Sequence, residues 1–219
     1  MKYRSVLFVP GHEEKKIKKA YTLNADLIVL DLESTVPKDQ KEEAKKIIKG
    51  CNVNKDRTYI RINKNSDLEF VTSENFPGIF LPFTETKKQL IEIDTLLKKT
   101  EKLKTNVIPI LESINGLANL EEICSFSDRV QIISFGSHDL AKSINLKISE
   151  DEKEILEFRK NIVNKSKIIL RPIDTSFLNF KDTEGFKKSC LSVKDLGFGG
   201  KACIHPSQIE ISNDIFDEK

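Results

Sequence analysis

The stretch "DLIVLDLESTVPKDQKEEAKK", residues 26–46, contains one complete repeat of the fold. Residues 27–30 are a continuous apolar run and read as a buried strand. That strand runs into Asp31 and Glu33, two side chains that are costly to bury. The chain then turns at Pro37 and enters a charged segment in which Ala44, Ile47 and Ile48 mark one face of a helix. The order is strand, acids, turn, helix, and the acids need a reason.

Outward from this unit the pattern repeats along the whole chain. Strand candidates are "SVLFVP" (5–10), "DLIVLDLE" (26–33), "TYIRIN" (58–63), "GIFLPF" (78–83), "NVIPILE" (106–112), "RVQIISFG" (129–136), "KIILRPID" (167–174) and "GKACIHP" (200–206). Helical spacing marks Leu90, Ile93, Leu96 and Leu97, then Leu117, Leu120, Ile123 and Cys124 as one helix. It returns at Ile155, Phe158 and Ile162, and at Phe186, Cys190, Val193 and Leu196; residues 67–73 carry the weakest helix. Strands alternating with helices pair in parallel through right-handed crossovers. Eight such units close into a (β/α)8 TIM barrel, spanning residues 1–219 as a single domain. A doubly wound open sheet is the alternative, disfavoured because no glycine-rich phosphate loop follows any strand.

Composition narrows the function. The 36 basic and 34 acidic residues nearly cancel, and the lysine pairs are scattered among glutamates, so a nucleic-acid surface is not expected. Cys51, Cys124, Cys190 and Cys203 form no CxxC pair and read as reduced and structural. The apolar run at residues 6–9 is too short for a signal segment, and no stretch approaches a membrane span. The expectation is a cytoplasmic protein without membrane or nucleic-acid partners.

A barrel explains the acids, because strand interiors pack in layers while the carboxyl ends carry the active site. Polar residues recur at those ends: Asp31 and Glu33, Arg61 and Asn63, Glu112, Asp139 just past Gly136, and His205. Glu112 and Asp139 end consecutive strands, whose backbones lie roughly 5 Å apart. Two carboxylates so close need a cation, a shared proton or an intervening base. Oxygen ligands without a Cys/His cluster suit Mg²⁺, which takes one or two carboxylates and leaves its other positions to water and substrate. Taken singly, Asp139 in "SHDLAKS" could cap a helix and Glu112 could pair with a lysine. Arg61 faces the same mouth and suits a carboxylate or an enolate oxygen. Asp31 and Glu33 complete the candidate catalytic set by orienting Arg61 or metal-bound water. His12, His138 and His205 all fall near strand ends, where each could be a base or a satisfied structural side chain.

Seven segments in order resemble the citrate lyase β-subunit-like group of the HpcH/HpaI aldolase superfamily. They are "RSVLFVPG" (4–11), "DLE" (31–33), "RIN" (61–63), "GIFLP" (78–82), "PILESINGLANLEEI" (109–123), "SFGSHDL" (134–140) and "GFGGKACIHPSQI" (197–209). The resemblance implies a barrel that cleaves or forms a carbon–carbon bond in acyl-CoA substrates of the citryl-, malyl- or citramalyl-CoA type. It implies a Mg²⁺ held by Glu112 and Asp139 that chelates an oxo acid, with Arg61 steadying substrate or enolate. It also implies substrate or CoA contacts at Phe8, Pro10, Lys19 and His205. Ser34, Phe83, Glu13 and Glu14 depart from the residues usual in the group, and two acids near a CoA phosphate would repel it. Relatives continue past the "IHPSQI" segment with a region that covers the site and supplies a catalytic Asp; this chain is expected to be a barrel without that extension. Two further readings follow: an aldolase for a small non-CoA oxo acid, or a non-catalytic subunit needing a partner chain. Ile209, Ile211, Ile215 and Phe216 are too many for one helix face, so residues 207–216 are expected to contribute to a homo-oligomer contact.

Overall fold

A computed structural model describes residues 3–166 and 171–217. Eight parallel strands close into a barrel in sequence order, β1 to β8, with β1 pairing β8 to complete the ring. The first half is regular: β1 (Ser5–Pro10), α1 (Glu14–Ala20), β2 (Leu27–Asp31), α2 (Lys41–Gly50), β3 (Thr58–Arg61), α3 (Asp67–Ser73), β4 (Gly78–Leu81) and α4 (Lys87–Thr100). The second half begins with β5 (Asn106–Leu111), α5 (Ile114–Ala118), α6 (Leu120–Cys124), β6 (Ser134–Phe135) and α7 (Ser137–Ser143). It ends with α8 (Leu156–Ser166), β7 (Ile173–Asp174), α9 (Thr183–Leu196), β8 (Gly200–Cys203) and α10 (Ile209–Phe216). Among the described residues no helix is long and apolar enough to cross a membrane.

Alternation along each strand sorts side chains into two cores. Val6, Val29, Tyr59, Phe80, Ile108, Ile110 and Ile173 fill the barrel interior. Leu7, Ile28, Leu30, Ile60, Ile79 and Val107 point outward and pack under the helices. The interior carries a column of edge-on aromatic rings, Phe8 to Phe80 at 5.3 Å and Phe80 to Tyr59 at 6.3 Å. Gly78 makes room for that column, since a Cβ there would lie 2.2 Å from the Tyr59 ring. The interior is thus packed, and only its carboxyl end is open for chemistry.

Three expectations change. The helix expected through Leu117 and Ile123 is broken at Asn119, whose side-chain amide donates to the Glu85 carbonyl at 2.8 Å. The sixth strand shrinks to two residues, although Val130, Ile132 and Ile133 remain buried. Half of the seventh strand candidate, 167–170, lies outside the described residues, and β7 is its last pair. The surplus of apolar residues at the end of the chain is also corrected. Ile209, Ile215 and Phe216 are buried, and Ile211 packs against the same core, because α10 is wedged between α9 and the β1–β8 wall. A helix covered on two sides hides more than one apolar stripe, so these residues supply no free face for a second copy.

Candidate active site

The carboxyl end of β2 shows why acids follow the buried strand. Asp31 is 0% exposed, and both its oxygens are taken. It accepts from Arg61 Nε and Nη2 at 2.6 Å each, from the Glu33 and Thr35 amides at 2.8 and 2.9 Å, and from the Thr35 hydroxyl at 2.5 Å. Burial works to raise the Asp31 carboxyl, but the Arg61 fork and these other donors outweigh it and hold it below the usual carboxylate range. Asp31 is thus tied to Arg61, with its oxygens occupied by Arg61, Glu33 and Thr35.

Arg61 is held from several sides. Nη2 also donates to Ser34 Oγ at 2.6 Å, Glu33 lies 3.4 Å from Nη1, and the guanidinium sits 5.2 Å from the centre of the Phe8 ring. A planar cation fixed over an aromatic face loses little freedom when it meets an anion.

Glu112 follows β5 and is 5% exposed. Its Oε1 accepts from the Phe83 amide at 2.7 Å. Phe83 takes φ +46°, a left-handed conformation that costs a bulky residue on the order of 1–2 kcal/mol. The backbone is thus bent to aim a donor at the carboxylate. Gly136 leaves the space above it, since a Cβ there would come 2.7 Å from Glu112 Oε2. Burial first, and then the charge of Asp139, push the Glu112 carboxyl up to about 7, against the Phe83 amide and Arg61.

Asp139 does not end β6; it is the third residue of α7. Nor does it cap that helix, which starts from Gly136 with no side-chain cap. The first turn of α7 nonetheless brings it to the same place: Phe8, Arg61, Glu112, Ser134, Asp139 and Thr175 line one cavity of about 250 Å³ at the barrel mouth.

A family model described as HpcH/HpaI aldolase/citrate lyase matches residues 4–206. The chain belongs to the HpcH/HpaI aldolase/citrate lyase family. Citramalyl-CoA lyase, mitochondrial, of Rattus norvegicus is 31% identical over 239 residues, covering 97% of this chain and 71% of that protein. A (3S)-malyl-CoA thioesterase of Cereibacter sphaeroides is 28% identical, covering 98% of this chain and 77% of its own. Among solved structures, the citrate lyase beta subunit from M. tuberculosis complexed with oxaloacetate and magnesium is 25% identical with a TM-score of 0.85, covering 99% of this chain and 98% of that one.

This HpcH/HpaI barrel does not bring every expected residue to the mouth. Pro10 ends β1 in register with Asp31, but it does not line the cavity. Lys19 is exposed in the last turn of α1, and its carbonyl accepts from Thr22, so it too lies off the cavity. His205 is a local cap: its Nδ1 accepts from the Ser207 amide at 3.2 Å, and its ring stacks on Phe180 at 4.4 Å. His138 lines the cavity and donates from Nε2 to the Ser176 carbonyl at 2.9 Å. Sequence reading missed Ser34, Ser134 and Thr175 at the mouth. The signal available for Thr175 was its position just past β7, two residues after the buried Ile173.

The mouth fits a small divalent cation. Two carboxylates share it, one raised by the other's charge, and a cation between them would relieve both burial and repulsion. Among the described residues no group of three or more His, Cys, Asp or Glu is disposed to hold a metal. A pair of carboxylates with open positions is the donor set that Mg²⁺ accepts and that a structural zinc site does not.

Proposed function

We propose that this protein is a Mg²⁺-dependent carbon–carbon lyase acting on a 3-hydroxyacyl-CoA of the citramalyl-, malyl- or citryl-CoA type. The bond between the hydroxyl-bearing carbon and the carbon next to the thioester breaks. The hydroxyl loses its proton as a 2-oxo acid is released, and the thioester fragment departs as an enolate that takes up a proton to give acetyl-CoA. The observation that carries this reading is the meeting of Arg61, Glu112 and Asp139 in one cavity of about 250 Å³, in a chain of this family.

Glu112 and Asp139 would hold the metal. When bound, Mg²⁺ supplies Lewis-acid stabilisation of charge on the oxo-acid oxygens. Arg61 supplies the second stabilising charge. Because Asp31 and Ser34 occupy Nε and Nη2, its Nη1 edge beside Glu33 is the one left to meet a carboxylate or enolate oxygen. Phe8 supports Arg61 from below and gives the thioester carbon an apolar wall. A homo-oligomer and a cytoplasmic location belong to the same proposal. They rest on the family resemblance and on the sequence, and light scattering on the pure protein tests the first.

The test is to incubate the protein with citramalyl- and malyl-CoA, with Mg²⁺ or with chelator, and to follow free oxo acid and free thiol separately. Mg²⁺-dependent release of pyruvate or glyoxylate is expected. Arg61→Lys should lose on the order of 10²–10³-fold, because lysine cannot reproduce the fork. Free thiol without oxo acid would favour thioester hydrolysis, the activity named for the Cereibacter relative. No product from either ester, with pyruvate still bound, would favour a non-catalytic subunit or a non-CoA substrate.

A further inference from the structure

The two carboxylates of the mouth are held in different ways. Glu112 is fixed by the Phe83 amide and seated against Gly136. The Asp139 side chain is 43% exposed, and its ion-pair partner is Lys142 at 3.9 Å, itself 84% exposed. Such a contact fixes little. Where Asp139 points is therefore set by the seat of α7, which has seven residues and is too short to hold itself together.

That seat is built from the neighbouring strand. The first amide of a helix has no partner within it, and in α7 the Ser137 amide donates to Thr175 Oγ1 at 3.2 Å. Ser137 Oγ donates to the same oxygen at 3.1 Å. One residue on, His138 Nε2 donates to the Ser176 carbonyl at 2.9 Å. Two successive residues of α7 are thus pinned to two successive residues after β7, and Ser137 and Thr175 are both buried. The end of β7 is itself fixed, because Asp174 is clamped by Arg159 and Lys201.

We propose that Thr175 and His138 are positioning residues for the divalent cation: they cap and orient α7 from across the β6–β7 seam, so that Asp139 faces Glu112 over the cavity. The inference rests on the reading of Glu112 and Asp139 as metal ligands. Mg²⁺ tolerates little departure from octahedral geometry, so a helix free to shift by a fraction of an ångström loses the ion without losing the fold.

The probe is Mn²⁺ alone, titrated into the full chain and followed by the paramagnetic resonance of free Mn²⁺, with a melting curve for each variant. Thr175→Val keeps the shape and removes the acceptor; it should weaken Mn²⁺ by about tenfold or more, as outer partners of metal ligands do. Thr175→Ser keeps the oxygen and should stay within about twofold of the parent, whereas Glu112→Gln should lose more than either. A Thr175→Val protein that binds Mn²⁺ as tightly as the parent, while Glu112→Gln does not, overturns the positioning role and leaves the metal reading standing. Parental affinity in Glu112→Gln overturns the metal reading and the positioning role with it. Should Thr175→Val fail to fold, His138→Leu carries the test: weakened Mn²⁺ in a folded protein supports the role, and unchanged affinity removes it.

Discussion

The protein buries charge in two places and treats it in opposite ways. Outside the barrel wall, under α8 and α9, Asp174 receives Arg159 Nε and Nη2 at 2.9 and 2.8 Å and Lys201 Nζ at 2.5 Å. Arg159 also reaches Glu152 at 3.0 Å, and the Ser189 hydroxyl donates to that carboxylate at 2.5 Å. Two acids meet two bases, and the charges cancel. At the mouth, Asp31, Glu33 and Glu112 act on the guanidinium of Arg61, while Asp139 shares the cavity and has the exposed Lys142 at 3.9 Å, so the acids outnumber the bases. The consequences diverge. Burial works to raise Asp174, yet Lys201 and Arg159 hold it below the usual carboxylate range, whereas Glu112 is pushed up to about 7. A buried charge matched by its neighbours is part of the architecture. A buried carboxylate left short of a cation marks a site built to receive one.

The sharpest way to break this contrast is to remove one charge from each region, because the signs should differ. Arg159→Leu leaves Asp174 and Glu152 without their shared cation, and stability should fall by about 3–5 kcal/mol in a urea titration. A loss under about 1 kcal/mol would show that the outer cluster does not depend on matched charge. Glu112→Gln should do the reverse in metal-free protein. With its pKa raised from 4.5 to about 7 in the fold, the protonated carboxyl stabilises the folded state fully below pH 4.5, and that contribution is lost as pH rises through 7. At pH 8 the parent therefore bears a penalty of up to about 3 kcal/mol that the Gln variant escapes. At pH 5 the two should differ by less than about 1 kcal/mol. A variant no more stable than its parent at pH 8 would remove the strain from the mouth.

The barrel was legible because its repeat is local: apolar run, polar end, amphipathic helix. Arg61 and Glu112 were legible for the same reason, Arg61 as the last residue of β3 and Glu112 as the first after β5. What escaped depends on pairing between distant segments. Thr175 is a small hydroxyl whose use appears only when Ser137 stands beside it, 38 residues away in sequence. Asp139 was placed on a strand end because residues 129–136 alternate like a strand, yet only two of them pair as one, and the helix begins earlier. The apolar residues of α10 looked surplus on an isolated helix and are absorbed by contacts with both α9 and the barrel wall. Lys19 came from resemblance; it stands exposed in the last turn of α1 and does not line the cavity.

The central claim is that Glu112 and Asp139 form a cation site at the open end of the barrel. Calorimetric titration of Mg²⁺ into metal-free protein, with pyruvate saturating, tests it most directly. The parent should bind at pH 8, and its affinity should fall by about tenfold per pH unit below 7, where the ion must displace the Glu112 proton. Glu112→Gln and Asp139→Asn should bind weakly or not at all at pH 8, and Glu112→Gln should lose this pH dependence. Equal Mg²⁺ affinity in the parent and in Glu112→Gln would contradict the account.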